Sequence, residues 1–101
     1  MLKSPYKYFF EVLKMKIRDG FILKSVAGKN IVVPVGAQVD FNGMLTLNDT
    51  GLFFWELLSE GISKDDMLKR VTAEYDVDSQ TAAADIDAFA EKLRSRGILE
   101  D

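Results

Sequence analysis

The sequence predicts an α+β fold, winged helix-turn-helix-like, in which a three-stranded antiparallel sheet is followed by three helices. Three observations carry this expectation. Short β-branched and alternating segments fall within residues 21–47, and three apolar-periodic, capped segments fill residues 48–98. Only Asp76-Val77-Asp78 separates the second helix from the third, which is helix-turn-helix spacing. Three strands alone are marginal, so the apolar helices must cover one face of the sheet. At 101 residues and 48% hydrophobic, the chain has material for one domain with a real core.

The strands come first. Phe21-Ile22-Leu23-Lys24-Ser25-Val26 reads as strand one, and Ala27-Gly28-Lys29-Asn30 as the turn after it. Ile31-Val32-Val33 is a β-branched second strand. Pro34 lacks a ladder donor and marks that strand's end or a bulge. Gly36 begins a loop, and Asn42-Gly43 is a turn pair tolerant of positive φ. Met44 to Leu47 then forms a short third strand, with Leu45 and Leu47 on one face and Met44 and Thr46 on the other.

The helices are punctuated by residue type. Asn48 or Asp49 caps the first, whose apolar residues are Leu52, Phe53, Trp55, Leu57 and Leu58. Gly61 ends it, with Ile62 placed to fold back on Leu57 as in a Schellman stop. Ser63 caps the second helix, with Asp66 three residues on and Ile62 and Met67 at staple spacing. Its buried stripe is Met67, Leu68, Val71 and Tyr75. Asp78 caps the third helix, whose core stripe is Ala82, Ile86, Phe89 and Leu93. Gly97 stops it, with Ile98 placed to meet Leu93.

Residues 1–14 form an arm of different character, separate from a domain at 15–101. Lys3, Lys7 and Lys14 interleave there with Tyr6, Tyr8, Phe9 and Phe10. An upstream start preceding Met15, a helix packed on the domain and a surface for a partner all remain open readings. Exchange of this arm between two copies would give a homodimer.

Composition removes several chemistries. The chain has no cysteine and no histidine, so thiolate nucleophiles, Fe–S clusters, Cys/His zinc sites and an imidazole base are all absent. The carboxylates scatter over helix surfaces, and no catalytic or metal-ligating set is expected. No apolar run reaches the ~18 residues of a membrane span, and the N-terminal Tyr8-Phe9-Phe10 run is broken by Glu11 without a cleavage motif. A cytoplasmic, non-enzymatic protein without a cofactor is expected.

Charge bears on partners. Residues 1–47 hold seven Lys/Arg against three Asp/Glu, and residues 48–101 hold six against thirteen. A winged helix commonly binds DNA through its third helix. Here that helix begins with Asp78, Gln80, Asp85 and Asp87, and has no Lys or Arg before Lys92. Carboxylates facing phosphates repel, so nucleic acid is a disfavoured partner, although a DNA-binding regulator stays as the alternative. A three-strand meander also leaves an edge on which an extended peptide can pair. The third strand is such an edge, and a peptide added at Met44–Leu47 would lie against the third helix.

Several segments carry a family resemblance. They are Met15-Lys16-Ile17-Arg18-Asp19-Gly20-Phe21, Ile31-Val32-Val33-Pro34-Val35-Gly36 and, above all, Phe41-Asn42-Gly43-Met44-Leu45-Thr46-Leu47-Asn48-Asp49-Thr50-Gly51. Trp55-Glu56-Leu57-Leu58 and Glu74-Tyr75-Asp76-Val77 also fit. Together they resemble the PqqD-like family, whose namesake acts in pyrroloquinoline quinone biosynthesis. The resemblance covers about residues 15–99 and excludes the arm. It implies a RiPP recognition element: a winged-helix-like peptide chaperone that binds the leader of a ribosomally made precursor peptide. Such a chaperone presents the peptide to a modifying enzyme, commonly a radical S-adenosylmethionine protein. In the family the leader adds beside the third strand, near the third helix. Carried over, this points to Met44, Leu45, Thr46 and Leu47. By helical spacing, Asp85, Phe89 and Lys92 border the same groove, with Phe89 also on the core stripe.

Overall fold

The structure is a computed structural model that describes residues 14–35 and 45–100. Four strands precede the helices: β1 (Lys16–Ile17), β2 (Phe21–Val26), β3 (Lys29–Pro34) and β4 (Leu45–Leu47). Three helices follow, α1 (Asp49–Glu60), α2 (Lys64–Glu74) and α3 (Ser79–Ser95), and then β5 (Leu99–Glu100). β2, β3 and β4 make the antiparallel meander expected from the sequence, with β3 central. The Gly36 loop, the Asn42-Gly43 turn, Met44 and the arm up to residue 13 lie outside the described residues.

Hydrophobic periodicity missed β1 and β5. They pair antiparallel as a second, two-stranded sheet, with Lys16 opposite Glu100 and Ile17 opposite Leu99. Two-residue strands are too short to show alternation, and this pair joins opposite ends of the domain. The Arg18 N–H donates to the Ile98 carbonyl at 2.8 Å and extends the same clasp.

The first turn is tighter than expected. β3 begins at Lys29, so the hairpin loop is only Ala27-Gly28. Both residues have positive φ, 52° and 78°, the signature of a type I′ turn.

All three helix starts follow their side chains. The Gly51 N–H donates to Asn48 Oδ1 at 2.8 Å, the Asp66 N–H to Ser63 Oγ at 3.2 Å, and the Thr81 N–H to Asp78 Oδ1 at 2.7 Å. Asn48, rather than Asp49, is therefore the first cap.

The helix ends differ from one another. At α3 the Gly97 N–H donates to the Arg94 carbonyl and the Ile98 N–H to Leu93, which is the Schellman pair of bonds. At α1 the Gly61 N–H reaches the Leu58 carbonyl, but the Ile62 N–H donates to Met15 at 3.0 Å instead of folding back on Leu57. Met15 returns its own N–H to the Ile62 carbonyl at 2.8 Å. The expected Schellman stop is replaced there by a β-bridge between Met15 and Ile62.

One core joins sheet and helices. Val32, Leu45 and Leu47 bury against Phe54, Trp55, Leu57 and Leu58 of α1, Met67 and Val71 of α2, and Ala82, Ile86, Ala90 and Leu93 of α3. Met15, Ile17, Ile98 and Leu99 close it beneath the clasp. Phe54, outside the apolar set expected for α1, is buried, whereas Leu52 and Phe53 are only half-buried. Phe53 instead meets Tyr75 edge-on, with ring centroids 5.6 Å apart. No helix among the described residues is long and apolar enough to cross a membrane.

Candidate functional site

The register of the meander determines what β4 offers to solvent. The Val35 N–H donates to the Gly20 carbonyl at 2.7 Å, so Gly20 and Val35 form a bonded pair just past the end of the β2–β3 ladder. Bonded and non-bonded pairs alternate in an antiparallel ladder. The bonded pairs are then Ile22 with Val33, Lys24 with Ile31 and Val26 with Lys29. Pro34, which has no N–H, falls in the non-bonded pair with Phe21. The backbones of Asn30 and Val32 consequently face β4, where they meet Leu47 and Leu45.

Thr46 stands opposite Ile31 in the remaining, non-bonded pair. Its N–H and C=O therefore point away from β3, and no strand pairs with that side of β4 among the described residues. One donor and one acceptor are held outward in strand geometry, ready for a bonded pair with another extended chain. Leu45 and Leu47 anchor this edge, being 3% and 5% exposed with their side chains in the core. The expected alternation along β4 is present, with Thr46 exposed between them.

Beside this edge lies a cleft of about 480 Å³. Thr46 and Leu47 form its strand side, and Asn48, Thr50, Gly51 and Phe54 form its floor at the start of α1. Asp85, Ala88, Phe89 and Lys92 form its helical wall. Asp85 and Lys92 each lie three or four residues from both Ala88 and Phe89, so the four share one face of α3. The structure thus brings together five of the site residues expected from the sequence: Thr46, Leu47, Asp85, Phe89 and Lys92. Leu45 supplies backbone to β4 but does not line the cleft. Met44 lies outside the described residues.

Phe89 has two faces. It is half-buried rather than a full core residue, and its ring meets Phe54 edge-on with centroids 5.4 Å apart and planes at 83°. Its remaining surface lies in the cleft. The floor residues escaped the sequence reading because Asn48 has an evident structural task as a cap and Thr50 and Gly51 sit in a helix's first turn. The signal available was Gly51 itself, where an added Cβ would meet the capping Asn48 Oδ1 at 3.2 Å and the Leu47 side chain at 3.5 Å.

The charges are exposed and simply arranged. Lys64 Nζ lies 2.7 Å from Asp87 Oδ1, tying the start of α2 to α3, and Arg94 pairs with Glu91 at 3.1 Å. Asp78 has its carboxyl held below its ordinary value by the Thr81 backbone N–H, which stabilises the charged form. Among the described residues no group of three or more His, Cys, Asp or Glu side chains is arranged to hold a metal ion. The cleft's charged lining side chains are Asp85 and Lys92, both on α3.

The sequence matches the family described as coenzyme PQQ synthesis protein D (PqqD) over residues 21–99, most of its length. The chain belongs to the PqqD family. The match spans the meander, the cleft and all three helices. A solved structure described as TbiB1 in complex with the TbiA(beta) leader peptide is similar to most of this PqqD-family chain. The TM-score is 0.69 at 25% identity, covering 84% of this chain and 94% of that one. No curated protein matches this sequence.

Proposed function

We propose that this chain is a RiPP recognition element that binds the leader of a ribosomally made precursor peptide by strand addition to β4. Its role is to present that peptide to a modifying enzyme, a radical S-adenosylmethionine protein being the expected class. The observation that carries the proposal is the outward backbone of Thr46 beside a cleft walled by α3. Main-chain hydrogen bonds to an edge strand supply affinity regardless of sequence, and side-chain pockets add selectivity. Family membership and the likeness to a structure holding a leader peptide support the same reading.

No catalytic group is required for this role. Holding the leader keeps the core of the precursor near the enzyme and raises its effective concentration there. The domain that does so is residues 15–101, with the arm outside it. The surface of α3 also favours peptide over DNA. Its first half exposes Asp78, Gln80, Asp85 and Asp87, which would face phosphates with like charge.

The test is a titration of isotope-labelled protein with the leader of a precursor peptide encoded beside its gene. Amide shifts are expected at Leu45–Leu47 and along Asp85–Lys92. A leader that binds while leaving those amides unmoved would refute the site, and a failure of any such leader to bind would refute the function. Salt-dependent retardation of DNA would instead support the regulator.

A further inference from the structure

The charges on α3 divide into two groups. Asp87 and Glu91 are neutralised locally by Lys64 and Arg94. Asp85 and Lys92, the two charges that line the cleft, have no ion-pair partner among the described residues. They are separated by seven residues, about 10.5 Å along the helix axis. Between them the cleft wall is apolar, formed by Ala88 and Phe89.

An extended peptide on the β4 edge places every second side chain toward the face that bears Leu45 and Leu47, the face the helices cover. Residues i, i+2 and i+4 of that peptide span about 13 Å. The flexible Lys92 side chain absorbs the small difference from the spacing on the helix. A peptide running along α3 would set the end residues of such a triplet at Asp85 and Lys92 and the middle one at Ala88 and Phe89.

Resting on the leader-binding reading, we propose that Asp85 and Lys92 read the direction and register of the bound peptide. They select an extended segment in which a basic and an acidic side chain, four residues apart, flank an apolar one. The order of base and acid follows from the strand direction, because only one order puts the base at Asp85. The backbone of Thr46 is indifferent to side chains, so this pair supplies the discrimination that the ladder lacks.

The experiment is a selection of randomised twelve-residue peptides displayed on phage against the immobilised protein at low salt. It is run in parallel on the double variant Asp85→Lys, Lys92→Glu. The wild type is expected to enrich base-x-apolar-x-acid in one order, and the variant the opposite order. A synthetic enriched peptide should lose about tenfold in affinity for the wild type when its two charges are exchanged, as expected for two exposed pairs turned repulsive. Enriched peptides that shift the amides of Leu45–Leu47 and α3 but show no charge order would overturn the inference and leave leader binding intact. A charge exchange without effect on affinity would do the same. Enriched peptides that shift neither element, or no enrichment at all, would overturn both. The measurement on the wild type is independent of whether the variant folds.

Discussion

Thr46 carries the argument for the site at the scale of one residue, because alternation leaves its N–H without a ladder partner among the described residues. Thr46→Pro removes that donor and no ladder bond, and an edge strand tolerates proline on its free side. The variant should stay folded, losing about 1 kcal/mol, and should lose leader binding in a titration. Unfolding of the variant would place Thr46 within the ladder and remove the open edge. Ala27 offers a contrasting case. Its φ of 52° lies in the left-handed region that costs a residue with a Cβ about 1–2 kcal/mol. Ala27→Asn should stabilise the domain by about 0.5–1 kcal/mol, since Asn-Gly is the favoured pair for a type I′ turn. A urea midpoint that rises at unchanged slope would record it.

Among the elements, α3 shows how a cap becomes a response to pH. Asp78 holds a depressed carboxyl because the Thr81 N–H stabilises its charged form. A group depressed in the folded state contributes stability above its unfolded value, and loses it as pH falls through the folded one. The wild type should therefore weaken on acidification below about pH 4 through this group. Asp78→Asn keeps a capping oxygen but removes the titration. Thermal melts from pH 6 to 2.5 should show the difference between the two proteins shrinking toward the acid end. The α1 and α3 stops teach a second lesson. Ser59-Glu60-Gly61-Ile62 and Ser95-Arg96-Gly97-Ile98 have nearly the same local chemistry, yet only the second forms both Schellman bonds. Sequence near a helix end determines that it stops. A partner distant in sequence, here Met15, decides where the next amide goes.

Across the whole molecule, legibility follows the range of the interaction. Ser63 and Asp78 announced their caps, and the alternation of Leu45 and Leu47 gave β4 its inner face. Asp85, Phe89 and Lys92 were placed on the cleft wall by helical spacing together with family resemblance. Phe54 escaped because it sits within a run of aromatics whose facing is settled by packing, and β1 and β5 because only their pairing defines them. Trp55 lies within the shared core at 5% exposure. Trp55→Ala should cost about 3–5 kcal/mol, measured by denaturant unfolding. It should abolish leader binding only as far as it unfolds the domain, whereas Thr46→Pro should act on binding with the fold retained.

The clasp between β1 and β5 has a consequence for how this domain can be connected to others. Because Lys16 lies opposite Glu100, the first and last described strands lie side by side. A module with adjoining ends can be spliced into a surface loop of a larger protein without stretching it. Residues 15–100 can equally be closed on themselves by a short glycine linker and reopened between Ala27 and Gly28. Such a circular permutant keeps the β3–β4 ladder and the wall of α3 as they are. It should recognise the same peptide with its entry and exit moved to the far tip of the hairpin.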